Sequence, residues 1–369
     1  MPEPRTIVLL GATGSIGEST LAVIRQHPQR FRLIGVAANR NAAALDAIAA
    51  EFKAPHRALF QEHGTEGLIG LATLPEADIV VVATTGTIGV RPTVAALQAG
   101  KTVGLANKET LVLAGQYIMP LAGGRLLPVD SEHNAIFQCL DGRGDPAHLH
   151  RILLTASGGP FPHYTVRELA QVTPADALRH PNWDMGPKVT IDSATLANKG
   201  LEMMEARWLF GLQPDQIDVV IHPQSIIHSM VEFRDGSVIA QLAPPSMTFP
   251  IQHVLSWPDR LAPCGPRLDF GRIHRLELRP PDEDKFPCLR LARQALRQGG
   301  LAPALFNAAN EAAVAAFLEK RLGFLAIPRL IEECLAKAAF AEPASLEELL
   351  ALEPELVEFA RSRVGACGN

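Results

Sequence analysis

Cysteine is sparse in this chain. Among 369 residues there are five, Cys139, Cys264, Cys288, Cys334 and Cys367, scattered and odd in number, with no CxxC. Neither a disulfide framework nor a zinc site is expected from that spacing, and reduced thiols in a cytoplasmic protein are. Long apolar runs are missing too, so no segment is read as a membrane span. There is no block of Lys or Arg, and the formal net charge is −5, which argues against a general nucleic-acid binder. The opening "MPEPRTIVLLGATG" runs straight into a strand pattern and is read as leaving no room for a signal or transit peptide.

What is present is a soluble, globular composition, 47% hydrophobic and 20% charged, in a chain long enough for two or three domains. The first third alternates apolar runs with helix-like runs: "TIVLLGATG" then "ESTLAVIRQHP", "FRLIGVAANRN" then "AAALDAIAAEF", "ADIVVVATTG" then "VRPTVAALQAG", "KTVGLANKET" then "LVLAGQYIMPLA". Such alternation implies a parallel sheet with helices on both faces. From about residue 129 the pattern becomes α+β. "HLHRILLTASGG", "KVTIDSAT", "IDVVIHPQS", "HSMVEFRDG" and "SVIAQLAPP" read as strands, with "LANKGLEMMEARWLFG" as a helix among them and an Asp-Gly hairpin signal in "FRDGSV". Residues 257–288 are Pro-rich and read as an irregular linker, and 289–369 as helical, with a capping box at Ser345 and Glu348. The division expected is therefore α/β: a nucleotide-binding domain of Rossmann type over 1–128, a mostly β-sheet α+β catalytic domain with an active-site loop over 129–256, the linker, and the helical tail.

Three stretches carry chemistry. "GATGSIG" sets Gly11, Gly14 and Gly17 between the first strand and first helix, where a backbone can approach a pyrophosphate at a helix N-terminus. At the end of the second strand stands "ANRN", with Arg40 in place of the acidic residue common in NAD enzymes; a guanidinium suits a 2′-phosphate, so NADPH is expected over NADH. "VDSEHNAIFQC" places Asp130 and Glu132 two residues apart, on one face if the segment is extended. Glu202 joins them if "SATLANKGLEMMEARW" is helical, since Asn198, Lys199 and Glu202 then share a face. Three carboxylates without His or Cys at ligand spacing suit Mg²⁺ or Mn²⁺, although a surface acidic cluster or helix-capping acids would look alike. Ser157, His180, Ser193, Asn198 and Lys199 are candidate anion binders, Ser193 read at an N-cap-like strand-to-helix boundary, and they accumulate toward a small phosphorylated substrate. Asn107, Lys108 and Glu109 stand at the end of a parallel strand, where ligands bind in open α/β sheets.

Taken together, "GATGSIG", "LANKETLV", "PVDSEHNAIFQCL", "LTASGGPF", "RHPNWDMGPKVTIDSATLANKGLEMMEARWLF", "IHPQSIIHSMVEFRDGSV" and "FNAANEAAVAAFL" resemble the 1-deoxy-D-xylulose 5-phosphate reductoisomerase family across essentially the whole chain. The resemblance implies NADPH- and divalent-metal-dependent rearrangement and reduction of 1-deoxy-D-xylulose 5-phosphate to 2-C-methyl-D-erythritol 4-phosphate, in isoprenoid precursor biosynthesis. The C3–C4 bond would break in a retro-aldol step, and the rejoined aldehyde would then be reduced. It implies Asp130, Glu132 and Glu202 as ligands of Mg²⁺ or Mn²⁺, with Co²⁺ a further option. It implies Lys108 and Ser131 as substrate contacts, and Ser157, His180, Ser193, Asn198 and Lys199 as the phosphate pocket. Thr13, Gly14, Ser15 and Ile16 match the pyrophosphate loop, Asn39, Arg40 and Asn41 the 2′-phosphate region, and Asn107, Glu109 and Gly186 further cofactor contacts. Asn39 departs from relatives that carry Gly there. The family also implies a homodimer. The loop "LRHPNWDMGPK", with Trp183 and Met185, reads as a lid over the substrate. Two rival readings are a semialdehyde-type NADP dehydrogenase, which would need a catalytic cysteine, and a non-catalytic NADP sensor.

Overall fold

The computed structural model describes residues 3–140, 146–179, 183, 185–273 and 275–367. The chain divides into two compact units, Met1–Leu111 with Gly115–Gln138 and Ser246–Asp269, and Val112–Ala114 with Cys139–Pro245 and Phe270–Asn369. This division by contacts cuts the chain at other places than the functional division expected from the sequence.

The first unit holds β1 (Arg5–Leu10), β2 (Phe31–Ala38), β3 (His56–Leu59), β4 (Ile79–Val82), β5 (Thr102–Leu105) and β6 (Leu126–Pro128) in one sheet of order β3-β2-β1-β4-β5-β6, every pair parallel. That order reverses direction between β1 and β4, the arrangement of a dinucleotide-binding sheet. Its central strands are apolar along their whole length because both faces are covered, and Ile7, Val8, Leu9 and Leu10 are all at 0% exposure. The helix Thr248–Ser256 returns to this unit and packs Ile251, Val254 and Leu255 into the same core as Ile7, Leu9, Val81 and Val129. Strand β3 and the helix Phe60–Ala72 after it add to the elements expected from the sequence; a four-residue strand has little periodicity, and that helix is kinked at Gly64, φ +57°.

The second unit holds a mixed sheet, β7 (Leu149–Ala156), β8 (Ile217–Ile221), β9 (Ile227–Phe233) and β10 (Val238–Leu242), ordered β10-β9-β7-β8. Strands β9 and β10 form the antiparallel hairpin that Asp235-Gly236 signalled, with Gly236 at φ +86°. The C-terminal helices, among them Pro287–Gln298, Ala302–Leu318, Ala326–Lys337 and Leu346–Arg361, are as expected.

Two local readings are corrected. "KVTID" is not a strand: Pro187–Thr195 is a helix, followed at Leu196 (φ +62°) by a sharp break into the helix Ala197–Phe210. Pro187 at the first helical position and the burial of Ile191 and Ala194 outweigh the β propensity of Val189, Thr190 and Ile191. The segment after Asp130 is not extended either, since Ser131–Cys139 is a helix whose first turn contains Glu132.

Candidate active site

The first unit gathers its candidates beyond the carboxyl ends of its parallel strands. Gly11 follows β1 at φ +97°, and a Cβ there would lie 2.3 Å from the Ala83 carbonyl oxygen, so only glycine lets the loop pass this close to the sheet. Gly14 is the N-cap of the helix Ser15–Gln26. Gly14 and Ser15 are exposed and Thr13 and Ile16 half-buried, so this helix N-terminus is accessible, and the unpaired N–H groups of a first helical turn suit an anion. Past β2, Asn39, Arg40 and Asn41 are all exposed, and Arg40 makes no ion pair with a described residue. Asn41 is also an N-cap, its side-chain oxygen accepting from the Ala44 N–H at 3.0 Å.

Asn107 has more structural work than the sequence suggested. Its Nδ2 donates to the carbonyls of Thr84 and Gly86, both at 2.7 Å, and its Oδ1 accepts from Thr110 N at 2.9 Å and Thr110 Oγ1 at 2.6 Å. Both amide ends are engaged, which fastens the loop after β4 to the helix Lys108–Ala122. Glu109 is buried in the first turn of that helix. Lys108 Nζ lies 2.7 Å from Asp130 Oδ2, with the two side chains 11% and 15% exposed. Asp130 precedes the helix Ser131–Cys139, its carbonyl accepting from Asn134 N at 2.8 Å. Ser131 Oγ donates to Glu132 Oε2 at 2.5 Å. Asp130 and Glu132 each present a carboxylate oxygen within 4.8 Å of the other. Two anionic oxygens that close repel each other unless positive charge answers them; Lys108 supplies one such charge beside Asp130, and carboxylate oxygens of this kind suit a hard cation.

The second unit holds the remaining candidates. Asn198 Nδ2 donates to Glu202 Oε1 at 2.5 Å, and Lys199 Nζ donates to Glu202 Oε2, so these three do share one helix face. Glu202 and Lys199 are 1% and 3% exposed, a buried pair whose charges answer each other. Ser157 follows β7, and its Oγ accepts from Gly159 N at 3.3 Å. Gly159 has φ +67°, and a Cβ there would meet the Ser193 carbonyl oxygen at 3.0 Å; the Gly-Gly turn therefore lies directly on the Ser193 backbone. Ser193 sits in the last turn of Pro187–Thr195, not at an N-cap-like boundary, because the preceding segment is helical. Gly186 is the exposed N-cap of that helix. His180, with Pro181, Asn182 and Asp184 of the segment expected to act as a lid, lies outside the described residues. Met185 is half-buried, and Trp183, also half-buried, sets its ring edge against His228 at 6.3 Å between centroids. Asp192 is a buried acid beside Ser193, and its only signal in the sequence is its place in the run "VTIDSAT".

Cys139, the thiol a semialdehyde-type enzyme would require, is held inert: burial pushes it up to about 11, away from the thiolate needed for attack. The parallel sheet of this order with a glycine loop after its first strand is the architecture of a nucleotide-dependent oxidoreductase class. Comparison with known proteins gives the family. Models described as 1-deoxy-D-xylulose 5-phosphate reductoisomerase match residues 7–64 and 56–115, and models of that enzyme's C-terminal domain match 126–210 and 242–358. The chain is 48% identical over 376 residues to the 1-deoxy-D-xylulose 5-phosphate reductoisomerase of Laribacter hongkongensis, covering 95% of this chain and 97% of that one. A Zymomonas mobilis reductoisomerase solved in complex with NADPH superposes with a TM-score of 0.88 at 41% identity, covering 98% and 99% of the two chains. A DOX-P reductoisomerase solved with NADPH, fosmidomycin and magnesium superposes at 0.92 and 38% identity, covering 98% of each. The chain belongs to the 1-deoxy-D-xylulose 5-phosphate reductoisomerase family.

Proposed function

We propose that this chain converts 1-deoxy-D-xylulose 5-phosphate to 2-C-methyl-D-erythritol 4-phosphate with NADPH and a divalent cation, supplying isoprenoid precursors. One observation carries the reading most strongly: the glycine loop after β1 and the Asp130–Glu132 segment after β6 lie beyond the carboxyl ends of one parallel sheet. A nucleotide and an oxygen-ligated ion would thus both be served from the edge where such sheets bind ligands. The relatives solved with NADPH and magnesium support the same pair.

Asp130, Glu132 and Glu202 would hold Mg²⁺ or Mn²⁺, the all-carboxylate donor set fitting a hard cation. Thr13, Gly14, Ser15 and Ile16 would cradle the pyrophosphate, Arg40 with Asn39 and Asn41 the 2′-phosphate, and the backbone at Asn107, with Glu109 and Gly186, further cofactor contacts. When bound, the nucleotide supplies hydride and the ion Lewis acidity. The chain's own part is binding and orientation. Ser157, Ser193, Asn198 and Lys199, with His180, would grip the phosphate, a group remote from the reacting carbons whose binding energy fixes the pose. Lys108, held by Asp130, would present a fixed positive charge to the reacting oxygens, with Ser131 beside it. Trp183 and Met185 would cover the carbon skeleton and exclude water. The division of labour among 1–128, 129–256 and 289–369, a homodimeric assembly and a cytoplasmic location belong to the same proposal. Among the described residues, no helix is long and apolar enough to cross a membrane.

The test is NADPH oxidation by the purified chain. It should require both 1-deoxy-D-xylulose 5-phosphate and a divalent cation, and stop on chelation. Oxidation that persists in chelator, or that proceeds with an ordinary aldehyde in place of the sugar phosphate, would overturn the reading.

A further inference from the structure

Ser193 follows a residue that none of the chemistry above uses. Asp192 is 1% exposed, and its Oδ1 accepts a hydrogen bond from Asn310 Nδ2 at 2.8 Å, across 118 residues of chain. Its Oδ2 lies 2.9 Å from Lys188 Nζ, one turn earlier in the same helix. Asn310 is fully buried in the helix Ala302–Leu318, and its Oδ1 has no hydrogen-bond partner among the described residues. Leaving a buried carbonyl unsatisfied costs about 1–3 kcal/mol, which a leucine in that place would avoid. Packing alone does not account for an amide there; holding the Asp192 carboxylate does.

The turn that carries Asp192 is tied forward as well. Thr195 Oγ1 lies 3.2 Å from the carbonyl oxygens of both Ile191 and Asp192, and it accepts from Ala197 N at 3.3 Å across the break at Leu196. Asp192 thus stands between Ser193 on one side and, through Thr195 and Ala197, Asn198 and Lys199 on the other. A shift of the carboxylate would move both halves of the donor set.

We propose that Asp192 and Asn310 are positioning residues: the C-terminal helix Ala302–Leu318 clamps the helix Pro187–Thr195 through this pair and so sets the spacing of Ser193, Asn198 and Lys199 for the substrate's phosphate. The inference rests on the phosphate pocket proposed above. Neither residue of the clamp is among the groups proposed to hold substrate or cofactor, and Asp192 stands toward the C-terminal end of its helix, beside Ser193 and away from Gly186 at the N-cap, so its loss should be read far more in substrate affinity than in nucleotide affinity.

The experiment compares Asn310→Leu, Asp192→Asn and the swapped double variant Asp192→Asn/Asn310→Asp with the wild-type chain. The readouts are KM for 1-deoxy-D-xylulose 5-phosphate, KM for NADPH, kcat, the affinity for the phosphonate fosmidomycin, and thermal melting. Each single variant should raise KM for the sugar phosphate about tenfold and weaken fosmidomycin to a similar degree, with kcat and KM for NADPH within about threefold of wild type. The swap, which restores one carboxylate facing one amide, should recover most of the lost affinity. Single variants that melt earlier yet keep wild-type KM would make the pair merely structural and overturn the proposal. Equal damage to both KM values, or a swap no better than the singles, would overturn it too. A wild-type chain that neither turns over the sugar phosphate nor binds fosmidomycin would overturn the functional reading, and the clamp with it; an active wild type with unaffected variants would overturn the clamp alone.

Discussion

At the scale of single residues, charge placement decides most of what this chain is built to do. Glu202 is buried and bonded to both Asn198 and Lys199, so removing its charge changes both a proposed ion ligand and the anchor of a proposed phosphate donor. Glu202→Gln should cut kcat/KM by about a hundredfold or more, on the scale of lost charge stabilisation in a closed site, and raise the Mg²⁺ concentration needed for half-maximal rate. Nucleotide binding, followed by NADPH fluorescence, should stay near wild type; full activity at limiting Mg²⁺ would remove Glu202 from the ion site. Arg40 is a complementary case, exposed and without an ion pair among the described residues. Arg40→Ala should raise KM for NADPH about tenfold, the order of one charge-assisted contact, and leave KM for NADH unchanged. An unchanged preference for NADPH would show that the 2′-phosphate is read elsewhere. The residue level was the most legible in the sequence, because acid spacing and glycine spacing carry chemistry directly. It failed where one side chain could serve two ends: nothing in "LANKET" shows that the Asn107 amide is engaged by Thr84, Gly86 and Thr110.

At the scale of elements, context overrules local propensity. The run Val189-Thr190-Ile191 reads as strand, and only its start at Pro187 and its packing in the second unit make it helical. Strands β1, β2, β4 and β5 were readable because buried parallel strands are continuous apolar runs, whereas the four residues of β3 gave no period to read. The pairing of Asp192 with Asn310 was beyond reach, since 118 residues separate them and only the fold brings them together. The helix Thr248–Ser256 yields a prediction of its own. His253 is 6% exposed, faces Asn134 Nδ2 through Nδ1 at 3.3 Å, and packs against Phe137 and Trp257. Burial, with a smaller contribution from Arg260, pushes its pKa down to about 4 from the usual 6.5. The folded chain therefore keeps this ring neutral where the unfolded chain protonates it. Above about pH 6.5 the group adds no pH dependence; as pH falls from 6.5 toward 4 the unfolded state binds the extra proton and stability drops, by roughly a few kcal/mol at most. His253→Gln should flatten the fall in melting temperature over that window, and a wild-type melting temperature constant from pH 6.5 to 4 would contradict it.

At the scale of the whole molecule, the chain joins a nucleotide-type parallel sheet to a second unit of mixed sheet and helices, and each unit supplies a different part of the proposed chemistry. The net charge of −5 opposes an anionic substrate and an anionic cofactor, so attraction has to be local: Arg40 in the first unit has no ion pair among the described residues, whereas Lys108 and Lys199 are each paired with a carboxylate and gain net pull only when an ion takes over that carboxylate. The alternation of strands and helices made the first unit's class legible, while the return of Ser246–Asp269 to that unit was not, because a long-range return leaves no local pattern. On the proposed function this molecule rearranges a carbon skeleton before reducing it, which an ordinary nucleotide-dependent dehydrogenase does not do. The direct measurement is ¹³C NMR of the product formed from 1-deoxy-D-xylulose 5-phosphate labelled at C3 and C4, with NADPH and Mg²⁺. The expected product has lost the one-bond C3–C4 coupling and is a branched tetritol phosphate bearing a methyl group on a quaternary carbon; a straight-chain polyol phosphate with that coupling intact would contradict the rearrangement.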